Sequence, residues 1–241
     1  MSGGPDTPGA RYDVICFCAH PDDSEMGMGG TLALLTRAGR RVLVVTLTRS
    51  DKSTFGDPEN RTREFERAMS LLGTDGLQLD FPDTRVVNDD ASRQTILALV
   101  RRYRPDIVFA PWHTNEGGHH DGRANVDHME TGRLVRDSLK LARLRAVRPE
   151  LPAHDVRRIF YYMVPGDMRA HFMVDVSAVE ETLMASIRAY ASQMAIRRAE
   201  TPVEEILLMS RRQNGLAIGV RLAEGFLADQ VPDVRVEELF R

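Results

Sequence analysis

Thiols, aromatic side chains and long apolar runs are all scarce in this chain. Its two cysteines, Cys16 and Cys18, lie two apart in a run that reads as an extended strand, so they face one side without the geometry of an ordinary disulfide. They are expected as packed thiols, which suits a reducing, cytoplasmic setting. No apolar stretch approaches about 18 residues, so no membrane-spanning helix is expected. The first ten residues are rich in Gly and Pro and lack an apolar h-region; they read as a loose terminus and not as a signal peptide. An excess of one charge is missing too. The 32 Lys and Arg against 35 Asp and Glu leave a net charge of -3, which gives no global attraction to nucleic acid or to an anionic membrane. A small-molecule ligand is the default partner. No repeat or low-complexity block is present, and 241 residues with 42% hydrophobic content suffice for one sizeable α/β core, expected as a single domain over residues 1–241.

What is present concentrates at Ala19-His20-Pro21-Asp22-Asp23, between the apolar run Tyr12 to Cys18 and the Gly-rich stretch Gly27-Met28-Gly29-Gly30. A strand end, a turn with one imidazole and two carboxylates, and then a helix start is where open α/β sheets place their ligands. His20 and Asp23 can reach one ion from a single turn, and a nitrogen and oxygen donor set suits zinc. Asp22 is then left as a base. The plainer alternative is a helix-capping turn in which an Asp accepts backbone N–H bonds. Against it, two adjacent acids beside a histidine repel unless a cation or a proton resolves them. A dinucleotide fingerprint, and with it a nucleotide-dependent oxidoreductase, is disfavoured because the acidic loop would oppose a pyrophosphate.

Strands are expected at Tyr12 to Ala19, Arg41 to Thr48, Leu77 to Phe81, Ile107 to Ala110, Arg158 to Met163 and His171 to Val176. Helices are expected over Gly30 to Ala38, Glu59 to Leu72, Ala91 to Tyr103, His128 to about Arg145, Val179 to about Ser192 and Val203 to about Arg212. The alternation predicts βαβ units around a mostly parallel sheet. Gly219 to Phe226 has no assignable period. The loop from Pro111 to Asp127 carries His113, Glu116, His119, His120 and Asp121, and a loop so long and so rich in histidine is expected to be functional. Arg61 and Glu64, near the start of the second helix, read by position alone as an i,i+3 ion pair on a solvated face.

With both loops in view, the chain resembles the PIG-L/LmbE-like zinc deacetylases, which remove acetyl groups from N-acetylglucosaminyl conjugates. The resemblance rests on the 19–23 motif followed by Gly29-Gly30-Thr31, and on Asn125-Val126-Asp127-His128 leading into Gly132-Arg133-Leu134-Val135. Phe160-Tyr161-Tyr162-Met163, Val174-Asp175-Val176-Ser177, Ser192-Gln193 and Ala223-Glu224-Gly225-Phe226 look like the branch acting on N-acetylglucosaminyl malate in bacillithiol synthesis. The resemblance implies a Rossmann-like three-layer sandwich, the LmbE-like fold. It implies His20, Asp23 and His128 as ligands of zinc or another divalent ion, Asp22 as general base and later acid, and Asp127 as a residue orienting a neighbour. It places Arg61 and Glu64 near the substrate, an acetylated amino-sugar conjugate, and implies a homo-oligomer, with a hexamer as the expected form.

This sequence departs from the family pattern at Asn125, where a histidine helps to stabilise the oxyanion. An amide donates a hydrogen bond but carries no positive charge, so His119, His120 or His113 are the candidates to replace it. Gln213 and Asn214 stand where the malate branch has tyrosines, and Ala124 where it has an arginine. Hydrolysis is therefore better supported than malate specificity. The rival expectation is a sugar- or metal-binding protein that kept the ligands and lost efficient turnover.

Overall fold

The computed structural model describes Pro5 and residues 9–114 and 125–229. Five strands pair in parallel, all but β3 of them apolar runs: β1 (Val14–Cys18), β2 (Val42–Thr46), β3 (Asp75–Gln78), β4 (Ile107–Pro111) and β5 (Arg158–Tyr162). The register sets Val14 beside Val42 on one side and beside Ile107 on the other. β6 (Phe172–Asp175) and β9 (Ala223–Ala228) complete the sheet, with β9 antiparallel to both β5 and β6. The strand order is β3-β2-β1-β4-β5-β9-β6. A two-residue pair, β7 (Arg197–Arg198) and β8 (Thr201–Pro202), stands apart from it.

Parallel strands covered on both faces carry apolar residues at consecutive positions, and these divide by alternation into two cores. Val14, Cys16, Cys18, Val42 and Val44 face one way. Against them pack α1 (Asp23–Arg37), α2 (Pro58–Leu72) and α5 (Glu180–Arg188), through Met28, Leu32, Phe65, Leu183 and Ile187. Ile15, Phe17, Leu43 and Val45 face the other way. They meet Ile96, Leu97 and Val100 of α3 (Asp90–Tyr103) and Leu134 and Val135 of α4 (Val126–Ala142). The three layers are helices, sheet and helices, an α/β sandwich as expected. Among the described residues no helix is long and apolar enough to cross a membrane.

Several boundaries differ from the sequence expectation. α1 begins at Asp23 and not at Gly30, and passes through a kink at Met28, whose φ of -152° and ψ of 25° are not helical. Helical periodicity is hidden there by the glycines. β3 starts and ends earlier than the Leu77 to Phe81 run, because pairing with Leu43 to Thr46 fixes its extent; Leu79 and Phe81 still donate backbone bonds to Thr46 and Leu47. α4 opens at Val126 because Asn125 caps it, its Oδ1 accepting from the Asp127 N–H at 2.9 Å. α6 (Val203–Ile218) runs past Arg212 to a left-handed Gly219. The unassigned Gly219 to Phe226 segment supplies β9, whose pattern is buried on both faces and so carries no alternation.

α4 lies close to the end of β4 because Gly132 has no side chain: a Cβ there would collide with the Pro111 carbonyl and the His113 backbone. Its far end is fastened by Arg101 of α3, which is 3% exposed. This guanidinium donates to the carbonyls of Ala142 (3.0 Å), Leu144 (2.8 Å) and Leu151 (2.9 Å), and to three more in the same turn. It thus satisfies the carbonyls that the end of α4 leaves open. Arg101→Leu should lower unfolding free energy by at least about 2 kcal/mol, since buried acceptors lose their donors. Chemical denaturation checks this, and an unchanged midpoint would show that water replaces the guanidinium without loss.

Candidate metal centre and active site

The strand order reverses direction between β1 and β4, and the residues just past these two strands frame the site, as open α/β sheets allow. His20 and Asp23 follow β1 and enter α1. His128 sits in the first turn of α4. The structure brings the three together: His20 Nδ1 to His128 Nε2 is 3.3 Å, His128 Nε2 to Asp23 Oδ1 is 3.0 Å, and His20 Nδ1 to Asp23 Oδ2 is 3.6 Å. A tetrahedral ion about 2.0–2.1 Å from its nitrogen and oxygen donors has ligand atoms roughly 3.3 Å apart. Two imidazoles and one carboxylate, with one ligand atom from each within 4.8 Å of the others, can therefore hold a divalent ion.

The turn is arranged to present these atoms. The His20 backbone N–H donates to Asp23 Oδ2 at 2.8 Å, which leaves Oδ1 towards His128. On its far side the His20 ring offers Nε2 to Asp83 Oδ1 (3.1 Å) and lies 3.4 Å from Asp127 Oδ2. Both carboxylates are fixed by backbone donors. Lys52 N–H donates to Asp83 Oδ2, and Thr84 and Val86 donate to Asp127. A carboxylate on Nε2 holds the proton there and turns the Nδ1 lone pair towards the donor triangle.

The charges answer one another. Burial would lower the His20 pKa, but Asp127, Asp23 and Asp83 overcome it and raise it well above the ordinary value. Burial would raise Asp23, yet His128 and His20 hold its carboxyl far below the usual range. The pocket thus favours positive charge at its centre. Asp22 differs: burial lifts it to about 6, against the pull of Arg61. Its backbone is left-handed, φ 107°, a strained conformation for a residue with a side chain.

Arg61 and Glu64 are both buried, and not on the solvated face that position alone suggested. Arg61 pairs with Asp22 Oδ2 at 3.0 Å, donates to the Pro21 carbonyl and lies over the Tyr190 ring. Both oxygens of Glu64 are engaged by Ser192, through its N–H (2.8 Å) and its hydroxyl (2.7 Å). His113 is drawn away towards β5: its ring meets Trp112 and Tyr161, and Nδ1 is 2.9 Å from Thr114 Oγ1. Asn125 spends its carbonyl on the α4 cap. His119 and His120, like Glu116 and Asp121, lie outside the described residues. The sequence reading gave no role to Asp83, although a Pro-Asp step just past a parallel strand marks the sheet edge where ligands gather.

The sequence profile of the family described as PIG-L, GlcNAc-PI de-N-acetylase, matches residues 15–139. The chain is 29% identical over 195 residues to the diacetylchitobiose deacetylase of Thermococcus kodakarensis, covering 75% of this chain and 69% of that one. It is 25% identical over 224 residues to the 1D-myo-inositol 2-acetamido-2-deoxy-alpha-D-glucopyranoside deacetylase of Corynebacterium diphtheriae, covering 78% and 75%. Among solved structures, a conserved protein of Thermus thermophilus superposes with a TM-score of 0.83 at 31% identity, covering 93% of this chain and 98% of that one. The matched profile runs from β1 into α4 and so contains His20, Asp22, Asp23, Asp83 and His128, and on that ground the chain belongs to the PIG-L family.

Proposed function

We propose that this protein is a zinc-dependent N-deacetylase that hydrolyses the acetamide of a small molecule containing N-acetylglucosamine. The observation that carries the reading is the triangle of His20, Asp23 and His128 set beside the buried carboxylate of Asp22 in a PIG-L chain. Two relatives named for deacetylation of acetylated amino sugars support the substrate class. N-acetylglucosaminyl malate is the finer substrate suggested by the motifs around Tyr161, Ser192 and Glu224.

His20 Nδ1, His128 Nε2 and Asp23 Oδ1 would hold the ion. When bound, zinc acidifies water and polarises an amide carbonyl. Asp22 takes the proton of the attacking water on a carboxylate oxygen and returns it to the departing amine nitrogen, so that the amine leaves neutral. Arg61 keeps that carboxylate aimed through its 3.0 Å contact. Asp83 and Asp127 hold the His20 ring and its tautomer. Glu64 positions the Ser192 turn through two hydrogen bonds, and this is a better account of it than direct substrate contact. The rival reading, a binding protein with weak turnover, rests on Asn125, whose side chain caps a helix and brings no cation to the oxyanion.

Asp22→Asn should reduce acetate release from N-acetylglucosaminyl conjugates by about 100-fold or more, the usual worth of a positioned acid and base. Zinc content by elemental analysis should stay at the wild-type level, and a fully active variant would remove Asp22 from the chemistry. His128→Ala should purify with little zinc; full stoichiometry would place the third ligand elsewhere. Asp83→Ala should weaken zinc by about 10- to 100-fold in chelator competition, as loss of a partner of a ligating histidine does. Wild-type affinity in that variant would leave Asp127 as the residue that sets the ring.

A further inference from the structure

Helix α1 is broken at Met28, directly after the turn that carries Asp22 and Asp23. In an unbroken helix the Gly30 N–H donates to the Met26 carbonyl, four residues back. Here the Gly30 N–H donates to Glu224 Oε1 at 3.0 Å, and the Met26 carbonyl accepts from Arg211 Nη2 at 2.8 Å. The same guanidinium reaches the Glu25 carbonyl (3.1 Å), and the other oxygen of Glu224 takes the Thr31 N–H (2.7 Å) and hydroxyl (2.8 Å). Arg211 and Glu224 are joined to each other at 2.9 and 3.0 Å, with side chains 5% and 1% exposed. One member of a buried ion pair caps the carbonyl end of the first half-helix. The other caps the N–H end of the second.

A buried ion pair contributes little stability of itself, because desolvation offsets its attraction. This one is nonetheless saturated by backbone groups that the break in α1 releases, and its two members come from α6 and β9, beyond the region matched by the family profile. We propose that Arg211 and Glu224 form a clasp that fixes the kink in α1 and thereby the position of the first turn, with Asp22 and Asp23 on it. They are positioning residues, acting through Glu25 and Met26 on the turn; the Met26 N–H in turn holds the Asp22 carbonyl at 2.9 Å. The proposal rests on the zinc reading above for its binding consequence only.

The test uses the full chain as wild type, Glu224→Gln, Arg211→Met and the milder Thr31→Val, with Arg101→Leu as a control that loosens the protein far from α1. Hydrogen exchange of the metal-free proteins is followed over residues 19–31, and zinc affinity is measured by chelator competition. The visible spectrum of the cobalt-loaded proteins reports ligand geometry. Exchange over 19–31, taken relative to that of the β2 and β4 core amides of the same protein so that a global loss of stability cancels, should quicken at least tenfold in Glu224→Gln and Arg211→Met but not in Arg101→Leu, with zinc weakened by a similar factor and the cobalt bands altered. kcat should fall more than KM rises. Thr31→Val should show a smaller shift in the same direction, and it decides the matter if the other two do not fold. Unchanged exchange over 19–31, or an equal effect of Arg101→Leu, overturns the clasp. A wild type that binds no zinc refutes the metal reading instead, and the exchange pattern alone then decides the clasp.

Discussion

The site depends on how the protein resolves the repulsion of four carboxylates, Asp22, Asp23, Asp83 and Asp127, gathered at the edge of one sheet. Three of them surround a single imidazole. Asp83 and Asp127 face one nitrogen of His20, and Asp23 faces the other together with His128. Such a cluster is tolerable only if positive charge is supplied, and the described residues supply it unevenly: Arg61 serves Asp22, while the His20, Asp23 and His128 atoms converge on a point suited to a cation. Raised basicity at His20 and depressed basicity at Asp23 are two expressions of that one constraint.

The arrangement follows from the fold by short steps. Parallel strands end at the same edge, so the segments after β1, β3 and β4 approach one another although they lie far apart in the chain. Each segment is then held by backbone hydrogen bonds to a carboxylate, which takes up peptide groups that a loop would otherwise expose. Asp83 receives Lys52, and Asp127 receives Thr84 and Val86. The acids that tune His20 are therefore the same acids that tie the loops down. The contacts that close the loops thus also build the site, and the ion pair of Arg211 and Glu224 ties α6 and β9 to α1.

Much of this was legible because its cause is local. Whereas the Asp57 cap that starts α2 at Pro58 reads as loop, the apolar runs of β1, β2 and β4 and the Gly73 that ends α2 are written in consecutive residues. So is the shared reach of His20 and Asp23, which a single turn guarantees. The glycines of α1 obscured its start, because a helix interrupted at Met28 has no continuous period. β9 escaped assignment because a strand buried on both faces shows no alternation. Arg61 and Glu64 read as a solvated pair because nothing near them in sequence reveals that Asp22 and Ser192 lie across from them.

The sequence by itself determined the alternation of strand and helix, the placement of a ligand-bearing turn after the first strand, and a second histidine entering a later helix. These depend on spacing along the chain, which no folding step can change. Tertiary structure alone decided that His128 meets His20 at 3.3 Å, that Asp83 and Asp127 turn its ring, and that Glu224 and Arg211 occupy the break in α1. Those contacts join residues far apart in sequence, and their distances are set by the packing of whole layers and by the desolvation of charge, neither of which any short stretch of residues encodes.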